Sequence, residues 1–187
     1  MSKCLVPFLF AFLVGCANNA QFTNYESEGD LAATNPLPCV SATSVSSAST
    51  AADIAAGAKE CAFQAKYNES AELIMVASAY AFFDTQRVAD KTAHSALSAL
   101  FAKEFGSLPE KVRNELLSSI DALNNNQPRK NEICSYLLSS SEPSYFPKYM
   151  IAHGMGSFTE SAKEPLINSF NASEAWSESM AYIKCSS

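Results

Sequence analysis

The sequence predicts an all-α protein: a single irregular bundle of about six or seven helices, braced by two disulfides and set behind a flexible N-terminal tether. Three observations predict it. Apolar residues recur at helical spacing from about residue 50 to residue 183, and no convincing alternating strand interrupts them. Cys39, Cys61, Cys134 and Cys185 all fall in or beside that helical stretch. Ahead of it, residues 17–38 are polar and broken by Gly29, Pro36 and Pro38, a composition that favours open coil over a packed element.

The chain begins Met-Ser-Lys and then runs uncharged from Cys4 to Val14, the layout of a secretory signal. That run is too short to span a hydrocarbon core, which takes about 20 residues. Leu13-Val14-Gly15-Cys16 resembles the lipobox of bacterial lipoproteins. The resemblance implies removal of residues 1–15 and acylation of Cys16, whose chains would hold the protein on a membrane. Ala17, rather than aspartate, follows that cysteine, which under the enteric sorting rule implies the outer membrane, periplasmic side. Residues 16–38 then form the tether, with an r.m.s. reach of roughly 25 Å, and residues 39–187 form the helical domain.

Loss of Lys3 with the signal leaves twelve Lys and Arg against nineteen Asp and Glu, a formal charge of −7. Nucleic acid is excluded as a partner on that balance, because phosphate contacts need clustered cations. With Cys4 in the signal and Cys16 acylated, an even four cysteines remain for an oxidising compartment. Three pairings are open to them. Cys39 with Cys61 and Cys134 with Cys185 are favoured, since each pair lies within one half of the domain. No two of these cysteines are close in sequence, so no metal site is expected.

Thr50 or Asp53 caps a first, alanine-rich helix to about Lys66, with Ile54, Ala58, Cys61, Ala62 and Ala65 on one face. A second starts near Asn68 and turns Ala71, Ile74, Met75, Ala77, Ser78, Ala81 and Phe82 inward. With Ala58, Ser70, Ile74 and Ala77 small or apolar, the pair resembles a tetratricopeptide hairpin, but no second copy follows. A third helix is expected from about Arg87 to Phe105, stopped by Gly106. Ser107 caps a fourth, which tolerates Pro109 in its first turn and places Val112, Leu116, Leu117, Ile120 and Leu123 inside. The run Asn124–Asn126 ends it, and a fifth from about Pro128 carries Ile133, Cys134, Leu137 and Leu138. A short aromatic helix around Pro147 to His153 stops at Gly154. Asn171 and Glu174 form a capping box for the last, which buries Trp176, Met180 and Ile183.

Two constellations have residue types suited to chemistry. Asp84, Arg87, Lys91 and His94 follow at spacings of three and four, with Asp90 one turn before His94, so Asp90 would orient His94 as a base or the row would hold a carboxylate. Tyr145, Tyr149 and His153 recur every fourth residue before Gly154-Met155-Gly156, a face on which a sugar or peptide side chain would stack. Each row has a structural counter-reading: an interhelical ion-pair network for the first, core packing for the second. No Gly-x-Ser-x-Gly nucleophile elbow occurs, and no phosphate-cradling glycine loop. No cofactor and no metal are expected. The function expected is a membrane-anchored, non-enzymatic module that presents a surface to a periplasmic protein. The alternative is a cell-wall-related enzyme or small-ligand binder using Tyr149 and His153 or Asp90 and His94.

Overall fold

A computed structural model describes residues 26–159 and 163–185. Cys16 and the signal segment lie outside the described residues. Among the described residues seven α-helices form the bundle: α1 Ala51–Phe63, α2 Tyr67–Arg87, α3 Ala96–Phe105, α4 Glu110–Asn125, α5 Gln127–Ser139, α6 Lys148–Ile151 and α7 Ala172–Tyr182. Single 3₁₀ turns at Ala42–Ser44, Lys91–Ser95 and Met155–Phe158 fill the connections. Among the described residues the only β pairing is an isolated antiparallel bridge between Val88 and Leu166. No described helix is long and apolar enough to cross a membrane.

The centre of the bundle is α2, packed by α1, α4 and α7. Its sequence suits that place, because Leu73, Val76, Tyr80 and Phe83 alternate with Ser70, Ala71, Ala77 and Ala81, and all are buried. Small residues let α1 approach closely, and the Ser70 hydroxyl donates to Ala58 O across the contact at 2.7 Å. Thr50 starts α1 with a full capping box: its Oγ1 accepts from Asp53 N–H, and Asp53 Oδ2 accepts from Thr50 N–H, each at 3.0 Å. At α7, Asn171 Oδ1 caps Glu174 N–H at 3.3 Å, while Glu174 returns to the Asn171 amide rather than to the backbone. The two disulfides are Cys39–Cys61 and Cys134–Cys185, the favoured pairing.

The structure corrects the sequence reading of the fold in four places. Ser107 does not cap the fourth helix, which begins after Pro109 without a side-chain cap. The expected tether is docked from Ser27 onward. Leu31 is buried and its N–H donates to Tyr149 O at 3.1 Å, and Asn35 and Leu37 N–H donate to Asp53 Oδ1 and O. Gly57 permits this, because a Cβ there would stand 3.0 Å from both Leu37 Cβ and Pro38 O. The packed domain therefore reaches back to about residue 27, with two leucines as anchors inside an otherwise polar stretch.

The expected third helix is in fact two elements. Helix α2 continues through Arg87, after which Val88 and Ala89 become extended, paired with the 165–167 segment through Ala89 N–H to Pro165 O and Ile167 N–H to Arg87 O. Finally, Leu117 and Leu138, expected inside, are more than half exposed. Both lie beside a residue that takes the inward position, Leu116 and Leu137, and a helix cannot turn two consecutive residues to one line of contact.

Candidate functional site

Asp84 lies on the last turn of α2 with no solvent exposure. Arg87, one turn on, donates from Nε to Oδ1 at 2.8 Å, and its Nη2 sits 2.6 Å from the same oxygen without hydrogen-bond alignment. On the other side, the Tyr145 and Tyr149 hydroxyls donate to Oδ2 at 2.8 and 2.7 Å. The guanidinium is held between the rings of Phe83 and Tyr145, 5.0 and 4.8 Å from their centroids. Thus the two rows singled out in the sequence meet, although α6 covers only Lys148–Ile151 and leaves Tyr145 in the preceding loop. All the donors face one carboxylate, so the cluster ties that loop to the core.

Burial pushes the Asp84 carboxyl above the ordinary carboxylate range, against the pull of Arg87 and of the Tyr149 and Tyr145 hydroxyls. Burial, followed by the charge of Asp84, also holds both phenols well above their ordinary value. Tyr80, fully buried nearby, is raised by burial and then by Tyr136.

The remaining members of the rows go elsewhere. Lys91 and His94 belong to the 3₁₀ turn, so the expected single helical face does not exist beyond Arg87. Asp90 does not bond to His94: its Oδ1 accepts from Thr92 N–H and Oγ1 at 2.9 and 2.7 Å, and its Oδ2 from Gly156 N–H at 2.6 Å. Those hydrogen bonds, Thr92 first, lower its pKa despite some burial. His94 Nε2 contacts Val88 O at 3.0 Å, and Lys91 is exposed. His153 Nδ1 meets Asp30 Oδ1 at 2.8 Å, fastening the N-terminal segment rather than sharing a face with Tyr149. Gly154 is required where it stands, because a Cβ would collide with the Asp90 carboxylate. A groove of about 810 Å³ runs beside this turn, lined by Asp90, Met155, Gly156, Thr159, Lys163 and Glu164 among others. Among the described residues, no three His, Cys, Asp or Glu are grouped to hold a metal ion.

Two further clefts flank α4, and the sequence reading missed both. The first, about 240 Å³, opens between α2, α3 and α4 and is walled by Ile74, Phe101, Phe105, Leu108, Leu116 and Ile120. Leu117, 53% exposed, stands at its edge, and among the described residues Arg113 is the only charged one that lines it. The second, about 370 Å³, shares Ile74 and Ile120 with the first and extends to Lys130 on α5 and to Lys184 after α7. The one available signal was the consecutive Leu116-Leu117 pair, since only one of two adjacent residues can point straight inward. Comparison with protein-family models, with curated proteins and with solved structures finds no match, so function is read from these sites alone.

The tyrosines make alkaline pH a test of the buried cluster. Phenols with raised folded-state values stabilise the fold fully below their unfolded pKa of about 10 and lose that contribution as pH rises above it. Each contributes a slope of about 1.4 kcal/mol per pH unit. Tyr80, Tyr145 and Tyr149 acting together are expected to lower stability by roughly 4 kcal/mol per unit above pH ~10. Urea unfolding at pH 9 to 11.5 measures it, and Tyr149→Phe is expected to remove about a third of the slope. A flat profile would mean that the phenols ionise in the folded protein.

Proposed function

We propose that this chain is a non-enzymatic interaction module of the bacterial envelope, held by acyl chains on Cys16 and facing the periplasm from the outer membrane. The observation that carries the interaction reading is the open apolar cleft between α2, α3 and α4. It is lined almost wholly by hydrocarbon, Leu117 projects from its edge, and the Arg113 side chain has no hydrogen bond or ion pair among the described residues. Exposed apolar surface that a monomer leaves uncovered marks a contact site. Such a cleft suits a leucyl or aromatic side chain of a periplasmic protein, with a carboxylate beside it for Arg113.

The alternative, an enzyme or small-ligand binder using Tyr149 and His153 or Asp90 and His94, lacks comparable support. Tyr149 is buried with its hydroxyl committed to Asp84, and the other three groups hold turns and the N-terminal segment in place. Each of the four groups spends at least one polar atom on a bond that maintains the fold.

The test is capture from an envelope extract of the source organism, followed by titration of the purified partner against the intact protein and Leu117→Asp. Leu117→Asp is expected to keep its circular dichroism and to weaken binding at least tenfold, about 1.4 kcal/mol. Equal affinity of both forms, or capture of no partner, would sink the proposal.

A further inference from the structure

Lys130 is only 7% exposed, its side chain makes no hydrogen bond and no ion pair among the described residues, and its Nζ keeps some contact with solvent. Lysine is seldom this buried without a partner, because desolvating an ammonium is costly unless something returns the lost hydration. Nearby charges show how unusual this is. Arg129, next in sequence, meets both carboxylate oxygens of Glu72 at 2.6 Å, and Lys59 reaches Glu104 at 3.2 Å. Lys130 instead lines the second cleft beside α4.

The floor of that cleft is apolar: Ala71, Ile74 and Met75 from α2, with Ile120 and Leu123 from α4. Its polar groups are Ser78, Asn124, Lys130 and Lys184, and Tyr182 forms part of the wall, stacked on Phe82 at 4.3 Å. Among the described residues no carboxylate lines it, in a protein with an excess of acidic residues. Lys184, exposed, likewise makes no side-chain hydrogen bond or ion pair among the described residues. Two uncompensated cations over a hydrocarbon floor, in a cleft of about 370 Å³, fall within the size of small-molecule sites, roughly 300–1,000 Å³.

We infer that this cleft binds an anionic amphiphile: one carboxylate or phosphate head on an unbranched apolar chain. The head pairs with Lys130 and Lys184, and the chain lies on Ile74, Met75 and Leu123. The head takes the place of water as the partner of the Lys130 ammonium, while the chain covers apolar surface that α4 leaves open. This inference does not rest on the docking of a protein partner at the first cleft.

Calorimetric titration of the intact chain, carrying Cys16→Ser so that no acyl chain of its own competes, tests it with decanoate, decyl phosphate, decanol and acetate. At least one of the two anionic chains is expected to bind at least tenfold more tightly than decanol, and acetate weakly or not at all. Tighter binding of decanoate points to a free carboxylate as the natural head, and tighter binding of decyl phosphate to a phospholipid-type head. Lys130→Met is expected to weaken the preferred probe at least tenfold, and Lys184→Gln less. Should Lys130→Met fold poorly, ¹³C-dimethylation of the lysines gives a second reading, in which the Lys130 resonance shifts on adding the probe. Failure of both anionic chains to bind, parity with decanol, or an unmoved Lys130 resonance would each overturn the inference.

Discussion

Reduction of both disulfides is expected to unfold the protein at 37 °C. On the chain-entropy model, a closed loop of 22 residues, as in Cys39–Cys61, contributes about 3 kcal/mol, and one of 51, as in Cys134–Cys185, about 4 kcal/mol. Their sum is comparable to the whole stability of an ordinary domain, about 5–15 kcal/mol. The two bridges also act at different places. Cys39–Cys61 fixes the docked N-terminal segment to α1, while Cys134–Cys185 fastens the end of α7 to α5 and so holds Lys184 beside Lys130. Urea titrations of Cys39→Ser/Cys61→Ser and Cys134→Ser/Cys185→Ser should show the second pair losing more. The second pair should also loosen the lysine cleft while leaving the Asp84 cluster intact. An unchanged midpoint in reductant, with four free thiols confirmed by titration, would contradict this account.

The sequence made the fold legible wherever local pattern decides structure. Helices α1, α2, α4, α5 and α7 lie close to where apolar spacing puts them, and Thr50 and Asn171 announce the starts of α1 and α7 through bonds within a few residues. It failed where a distant segment decides. Nothing near Val88 or Ala89 breaks a helix; the break comes from pairing with residues 165–167, some eighty positions away. The same holds for the N-terminal stretch, where glycine and prolines mask the two leucines and Asp53 provides the backbone partners from elsewhere.

Site residues divide in the same way. Asp84, Arg87, Tyr145 and Tyr149 were visible as residue types worth noticing, but their convergence spans more than sixty residues of sequence and belongs to tertiary structure. Lys130 could not be seen at all. It lies in Gln127–Glu132, a polar run that reads as a solvated helix start, and is buried only because α2, α4 and the C-terminal end close around it.

Asp84→Ala is expected to cost about 3–5 kcal/mol, the cost of leaving the other partner of a buried ion pair uncompensated. The substitution strands the Arg87 guanidinium between two rings and leaves two phenols without their acceptor. It also frees the loop that carries Tyr145 from the core. Removing the cation along with the anion distinguishes a structural cluster from a catalytic one. In Asp84→Leu/Arg87→Met the uncompensated charges vanish together, so the double variant should be more stable than the sum of the single changes predicts, by about 0.5–3 kcal/mol. If Asp84 serves only packing, the double variant, once folded, should still bind at the Leu117 cleft with unchanged affinity. A loss below about 1 kcal/mol for Asp84→Ala would show that the pair is not desolvated as its geometry requires.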